Sequence, residues 1–175
     1  MHEKIVRLAS RCFAVVFVLL VAGCGTSSRA PISYDYSFNY GKTAILQNGV
    51  AIAPSRAPAE VKAAIAAGNR IRMAPYQYGG GRGRPGDYGF DCSGATSYVL
   101  RAAGVLNGFG TSSTFKSYGE PGAGKWINVW ARDGHVFLTI AGLRFDTGWH
   151  GDKGPRWATK SRPSKGYVIR HPRGL

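Results

Sequence analysis

GFDCSG, at residues 89–94, ends a glycine-rich loop and begins an apolar-periodic helix. Its cysteine, Cys92, is the one thiol in the body of the chain, because Cys12 and Cys24 both lie in the N-terminal leader region. A cysteine without a disulfide partner in its own chain is either buried and inert or reactive. A helix N-terminus stabilises a thiolate through its unpaired N–H groups and its positive dipole end. The position therefore favours a reactive thiol.

The N-terminus has the pattern of a secretion signal over residues 1–23. Three basic residues precede an unbroken apolar run at 12–21, which is about half the roughly 20 residues that a membrane-spanning helix needs. VAGC, at 21–24, resembles the bacterial lipobox, and this predicts lipidation (a palmitate-type anchor) at Cys24 and attachment to the membrane. Gly25 follows, so no aspartate signals retention at the inner membrane, and the outer membrane's periplasmic face is expected in a two-membrane cell. An ordinary cleavable signal with an incidental cysteine is the alternative.

The remaining chain divides into a tether or N-terminal arm at 24–57 and one domain at 58–175, which is long enough for its own core. A formal net charge of +14 favours an anionic partner. In the cell envelope the available polyanions are wall glycopeptide, lipid headgroups and lipopolysaccharide, whereas the compartment argues against nucleic acid. A merely basic, soluble surface is the competing interpretation.

Apolar periodicity predicts helices first and antiparallel strands afterwards, which is an α+β arrangement with N-terminal helices packed on a small antiparallel sheet. The predicted helices span 58–73 and 91–103, with a substrate-lining glycine-rich loop at 76–88 between them. The predicted strands span 126–130, 135–140, 143–147 and 166–170.

A cysteine nucleophile needs a base, and the base needs a third group that orients it. His135 begins a predicted strand, so its side chain lies at the sheet rim, where a helix N-terminus can face it. A turn at Ala141-Gly142 makes Asp146 a diagonal cross-strand neighbour of His135 on the same face. Asp146 is therefore the predicted third residue, and His150 is the alternative. His171, near the C-terminus, is expected to be solvated.

Three short motifs together resemble the NlpC-type cell-wall peptidases, which are papain-like cysteine peptidases. They are YQYGG at 76–80, DCSG at 91–94 and GHV at 134–136. The resemblance implies a papain-like fold and a thiol endopeptidase that cleaves peptidoglycan stem peptides, often between D-glutamate and a diamino acid. By position, Cys92 matches the nucleophile, His135 the base and Tyr76 a tyrosine near the forming oxyanion. The family's third catalytic residue lies on the next strand, near Asp146.

The expected chemistry is acyl transfer through a thioester, without a cofactor. No metal is expected either, because a single cysteine and scattered histidines lack the paired spacing of a zinc site. Asp91 and Ser93 are expected either to bind a substrate amine or simply to cap the helix. Two other functions stay open: a non-catalytic envelope lipoprotein that binds wall polymer, and an amidase, acyltransferase or secreted toxin of the same fold.

Overall fold

A computed structural model describes residues 36–148 and 153–175 of the chain. Its architecture confirms the predicted α+β class, since two helices precede and pack on an antiparallel sheet. Helix α1 spans Ala59–Ile71 and helix α2 spans Cys92–Ala102, and a single 3-10 turn covers Thr114–Ser117. The two helices contact each other, and α2 packs against the middle of the sheet.

The strands form a short hairpin and a six-stranded sheet. The hairpin pairs β1 (Ile45–Gln47) with β2 (Val50–Ile52). The sheet contains β3 (Glu120–Pro121), β4 (Ile127–Arg132), β5 (His135–Ile140), β6 (Leu143–Asp146), β7 (Arg156–Ala158) and β8 (Val168–His171). Their spatial order is β3-β8-β4-β5-β6-β7, and every pairing is antiparallel.

Helix α1 begins after Pro58, whose fixed φ suits a helix start, and carries Glu60 in its first turn, where the helix dipole favours a negative charge. Its buried stripe includes Val61, Ile65 and Gly68. Gly68 lies against the indole of Trp157 on β7, so closely that a Cβ atom would overlap that ring. The glycine that weakens the helix locally is therefore what allows the helix to lie close to the sheet.

The β5–β6 hairpin has the predicted turn and register. Ala141 and Gly142 both have positive φ, 45° and 87°, as a two-residue type I′ turn requires. Ile140 pairs with Leu143. Because side chains alternate along a strand, this register brings the start of β5 and the end of β6 to the same face of the sheet.

The folded part of the chain begins before Pro58, the predicted start of the domain. Ala44 and Ala51 are buried in the main core. The amide of Asn69 on α1 binds both backbone groups of Ala51, accepting from its N–H at 3.0 Å and donating to its C=O at 2.8 Å. These contacts join β1 and β2 to helix α1, and Tyr36 packs against the same core, so the predicted arm from residue 36 onward belongs to the packed domain.

The predicted signal at 1–23 and the lipidation site Cys24 lie outside the described residues. Within the described residues, neither helix is long and apolar enough to cross a membrane.

Candidate active site

Cys92 is the first residue of α2 and is partly exposed, with a free thiol. The helix starts there because Asp91, in extended conformation, caps it: Asp91 Oδ1 accepts from the Gly94 N–H at 2.6 Å. The backbone N–H of Cys92 belongs to the first turn, whose donors have no partner within the helix. The thiol and an available N–H therefore occupy the same helix end.

Asp91 also ties the glycine-rich loop to the helix. Its Oδ2 accepts from the Gly79 N–H at 3.0 Å and from Arg82 Nη1 at 3.1 Å, and Arg82 Nη2 donates to Ser93 Oγ at 2.9 Å. Both Asp91 and Ser93 are buried. The structure thus shows the capping alternative for Asp91, while binding of a substrate amine by Asp91 and Ser93 stays a prediction.

The predicted substrate-lining loop is held by specific hydrogen bonds. Gln77 Oε1 accepts from the N–H groups of Tyr88 and Gly89, both at 2.9 Å. Asp87 Oδ2 accepts from the N–H groups of Arg82 and Arg84 at 2.7 and 3.0 Å. Glycines in this region also permit close backbone approaches, because a Cβ at Gly94 would collide with the carbonyl oxygen of Gly80.

Tyr76 lies beside the segment that leads into the nucleophile. It forms a parallel bridge with Phe90, two residues before Cys92. On either side of it, the Phe90 N–H donates to the Pro75 carbonyl at 3.0 Å and the Gln77 N–H donates to the Phe90 carbonyl at 3.3 Å. Its predicted part in holding an oxyanion stays a prediction.

His135 is the first residue of β5, and its side chain is 13% exposed. Nε2 lies 2.8 Å from Asp146 Oδ1 and donates to it, and the Cys92 thiol is a neighbour of the ring that raises its pKa. Since Nε2 is engaged by Asp146, Nδ1 is the nitrogen left for the thiol. The structure therefore brings Cys92, His135 and Asp146 into one chain of contacts.

Asp146 ends β6, and its side chain is 2% exposed. Besides His135, Oδ1 accepts from the Thr147 N–H at 2.8 Å. Oδ2 accepts from Arg162 Nη1 at 2.7 Å and lies 3.8 Å from Arg144 Nε. Two arginines thus offset the cost of burying this carboxylate, and each of its oxygens has at least one polar partner.

Opposing influences act on the pKa of His135, and the result is a value above the ordinary one. Burial alone lowers it, because the charged imidazolium loses solvation. The hydrogen bonds with Asp146 and Cys92, together with the charge of the Asp146 carboxylate, outweigh burial and the repulsion from Arg162. The site therefore favours the protonated imidazole more than water does.

Arg162 and Arg82 are site residues that the sequence patterns do not reveal. Both lie in irregular segments rich in glycine, proline or serine, where no periodicity assigns a side chain to a face. Of the other histidines, His150 lies outside the described residues. His171 lies on β8, where its Nδ1 is 3.0 Å from the Gly122 carbonyl and its Nε2 is 3.4 Å from Glu120.

Chemically, the arrangement offers a nucleophile, a proton carrier and a buried anion that orients it. This is the triad arrangement used for acyl transfer, in which the third group holds the imidazole in one tautomer. Within residues 36–148 and 153–175 no cluster of three or more histidine, cysteine or acidic side chains is arranged to hold a metal ion.

No protein-family model matches the chain, and no curated protein matches it. Two solved structures of variants of the resuscitation promoting factor interacting protein RipA are similar. The first is 21% identical and has a TM-score of 0.48, covering 63% of this chain and 61% of that one. The second is 20% identical, with a TM-score of 0.47 and 66% of each chain covered.

The P60 domain of an antigen from M. avium subspecies paratuberculosis is also similar. It is 19% identical, with a TM-score of 0.49, and the match covers 63% of this chain and 93% of that domain. The chain spans about three fifths of the length of the first RipA structure.

Proposed function

We propose that the protein is a cysteine endopeptidase that cleaves the stem peptides of peptidoglycan. The observation that carries this proposal is the chain of contacts from Cys92 at a helix N-terminus, through His135, to the buried Asp146. The likeness of the 76–80, 91–94 and 134–136 motifs to NlpC-type peptidases supports the substrate class.

In the first half of the reaction the Cys92 thiolate attacks the carbonyl carbon of the scissile amide. The oxyanion that forms accepts from the Cys92 backbone N–H, with the Tyr76 hydroxyl as the second proposed donor. A single donor of this kind is worth about 2.7–4 kcal/mol of the barrier. His135 then gives its proton to the leaving amine, and a thioester remains on Cys92.

In the second half His135, now neutral, takes a proton from water as that water attacks the thioester. The tetrahedral adduct expels the Cys92 thiolate, which restores the starting pair. Asp146 keeps the Nε2–H of the imidazole engaged throughout, so that Nδ1 carries the proton back and forth.

The proposed bond is the one between D-glutamate and a diamino acid, and the proposed location is the cell envelope. Export by residues 1–23 and lipidation at Cys24 would hold the enzyme at a membrane next to the wall, on the periplasmic face of the outer membrane in a two-membrane cell. The net charge of +12 that remains once residues 1–23 are removed, 14 − (3 − 1), would attract it to anionic wall polymer.

One feature favours a second candidate, a non-catalytic lipoprotein that binds wall polymer. The strong positive charge suits such binding with or without catalysis. Under this alternative the Cys92 thiol would have no role, so removing it would leave binding to wall polymer unchanged and no fragments would be released.

Digestion of purified sacculi tests the proposal, with wild-type protein and Cys92→Ala compared by mass analysis of released muropeptides. We expect the wild type to release peptides cut within the stem and Cys92→Ala to release none. Release of whole stems cut from the glycan would identify an amidase instead. Release of the same fragments by both proteins, or by neither, would contradict a cysteine peptidase.

A further inference from the structure

A basic cavity lies on the imidazole side of the candidate site. It has a volume of about 240 Å³ and is lined by Arg132, Arg162, Pro163, Lys165 and Tyr167. Among the described residues that line it, three are cations and none is a carboxylate.

The register of the sheet places this cavity directly beside the base. Arg132, the last residue of β4, pairs across the strands with His135, and directly paired residues have Cβ atoms about 4.5–5.5 Å apart. The Tyr167 ring meets the His135 ring edge-on, with 6.4 Å between centroids. Arg162 reaches the same site from the other side through its 2.7 Å hydrogen bond to Asp146.

Aromatic packing holds the wall of the cavity in place. The Arg132 guanidinium carbon lies 5.0 Å from the centroid of the Tyr167 ring, and Tyr167 packs edge-on against Phe137 at 5.2 Å. The Tyr167 hydroxyl is buried and has no hydrogen-bond partner among the described residues. The Arg132 guanidinium therefore packs on a ring whose hydroxyl has no protein partner among the described residues.

Within residues 36–148 and 153–175, no carboxylate forms an ion pair with Arg132 or Lys165. Asp146 is committed to His135 and Arg162. Asp133, which is next to Arg132 in sequence, is bound by Lys116 Nζ at 2.9 Å and by Ser113 Oγ at 3.1 Å. Arg132 and Lys165 are both exposed, so their charges are accessible to a bound molecule.

The imidazole protonates the leaving amine, so groups that neighbour the imidazole contact the leaving half of the substrate. We propose that Arg132 and Lys165 bind a free carboxylate on the residue that follows the scissile bond, with Tyr167 as the wall of this subsite. This inference rests on the proposed peptidase function and narrows its substrate to peptides whose leaving residue is anionic. A planar guanidinium suits a carboxylate because it presents two parallel donors.

Three synthetic stem tripeptides that end in the diamino acid test this subsite. The first has every carboxylate free, the second has those of the leaving diamino acid as carboxamides, and the third has the acyl-side carboxylate as a carboxamide. The enzymes are wild type, Arg132→Gln/Lys165→Gln, and a matched control, Lys42→Gln/Lys62→Gln, which removes two exposed lysines elsewhere. The measured quantity is kcat/KM.

We expect the wild type to prefer the first peptide over the second by about tenfold or more, because a charge-assisted hydrogen bond is lost on amidation. In Arg132→Gln/Lys165→Gln this preference should fall to near unity, mainly through KM. The control should keep the preference. Equal cleavage of the first two peptides by the wild type, or an unchanged preference in the double variant, would overturn the proposal. If the wild type instead cleaves only the third peptide poorly, the cations bind on the acyl side of the scissile bond. That result would overturn the proposal as well.

Binding to the Cys92→Ala protein separates this inference from the proposed function. Calorimetric titration should show tighter binding of the first peptide than of the second, and the added Arg132→Gln/Lys165→Gln changes should remove the difference. If the first two peptides differ in binding but the wild type cleaves neither, the subsite is supported and the peptidase function is refuted. If the wild type cleaves the first two peptides equally well and Cys92→Ala binds them equally well, only the subsite is refuted.

Discussion

His135 is held between two partners of different chemistry, and each affects its proton. Asp146 accepts from Nε2 at 2.8 Å, while the neighbouring Cys92 thiol also raises the pKa of the ring. Because the ring is mostly buried, its charge depends strongly on the Asp146 carboxylate. Orientation and protonation of the base thus depend on the same residue.

Replacing Asp146 by asparagine should therefore lower the pKa of His135 and reduce activity. Burial still disfavours the imidazolium, but the carboxylate charge that opposes burial is gone. We expect kcat/KM to fall on the order of 10²-fold or more, since general acid–base catalysis contributes about 10²–10⁴-fold. NMR titration of the imidazole and peptide turnover measure the two effects.

Asp133→Asn is the matched control, because it makes the same chemical change at an exposed carboxylate whose partners are Lys116 and Ser113. It should leave both quantities nearly unchanged. An equal loss of activity in the two variants, or a His135 pKa that stays the same in Asp146→Asn, would contradict the role given to Asp146.

The raised pKa of His135 also links stability to pH. The folded chain binds the imidazole proton more tightly than the unfolded chain, in which the pKa is near 6.5. The stabilisation is therefore complete below about pH 6.5 and is lost as pH rises through the folded-state value. Denaturant unfolding at a series of pH values should show the difference between wild type and His135→Gln shrinking across that range. A difference that grows with pH would contradict the assignment.

At the scale of the elements, the site is formed where the start of α2 meets the ends of two adjacent strands. The cap at Asp91 sets where the helix begins and so where Cys92 lies. The turn at Ala141-Gly142 sets the register that aligns the start of β5 with the end of β6. A one-residue slip in that register would turn Asp146 to the opposite face of the sheet.

Helix α1 supports this arrangement through the close contact of Gly68 with Trp157. Gly68→Ala should lower the free energy of unfolding by up to about 2 kcal/mol, because overpacking costs about 1–3 kcal/mol and alanine regains about 1 kcal/mol of helix propensity. The overlapping atoms belong to the six-membered ring of the indole. Trp157→Phe should therefore relieve part of the cost, which a double-mutant cycle measures. The same cost in both backgrounds would rule out this contact as its cause.

Both helices, the strands β4, β5, β6 and β8, and the pairing of His135 with Asp146 follow from periodicity and turn residues. The short strands do not: β3 has two residues and includes Pro121, and β7 has three residues in a segment rich in glycine and proline. Strands this short lack a period to detect, and they form because neighbouring strands supply hydrogen bonds. Arg162 could not be predicted either, because its loop has no periodic pattern and only the tertiary fold brings it to Asp146.

At the scale of the whole molecule, charge is the dominant property. The chain carries 23 lysines and arginines against 9 acidic residues. Such an excess acts over the Debye length, which is about 8 Å at physiological ionic strength, and raises the rate of encounter with anionic polymers. The charge would serve targeting whether or not the site is catalytic.

Association with purified sacculi should therefore weaken as salt increases. We expect the bound fraction of Cys92→Ala protein, measured by co-sedimentation, to fall steadily between low and about 0.5 M salt, because added ions screen exposed charges. Binding that is independent of salt would contradict an electrostatic mode of attachment.

Lipid anchoring at Cys24 is tested separately, in the full-length chain. Cys24→Ser should abolish incorporation of labelled fatty acid and shift the protein from the membrane fraction to the soluble envelope fraction. Retention of label in that variant would show that the lipid is attached elsewhere, and absence of label from the wild type would indicate an ordinary cleavable signal.

Whether His135 activates the Cys92 thiol is tested most directly by the rate at which iodoacetamide alkylates Cys92 at pH 7, read at that residue by mass spectrometry. An imidazolium beside the sulfur favours the thiolate, which is the reacting form. We predict that alkylation is about tenfold or more faster in the wild type than in His135→Gln. Equal rates in the two proteins would mean that the imidazole does not activate the sulfur, and the proposed catalytic site would be wrong.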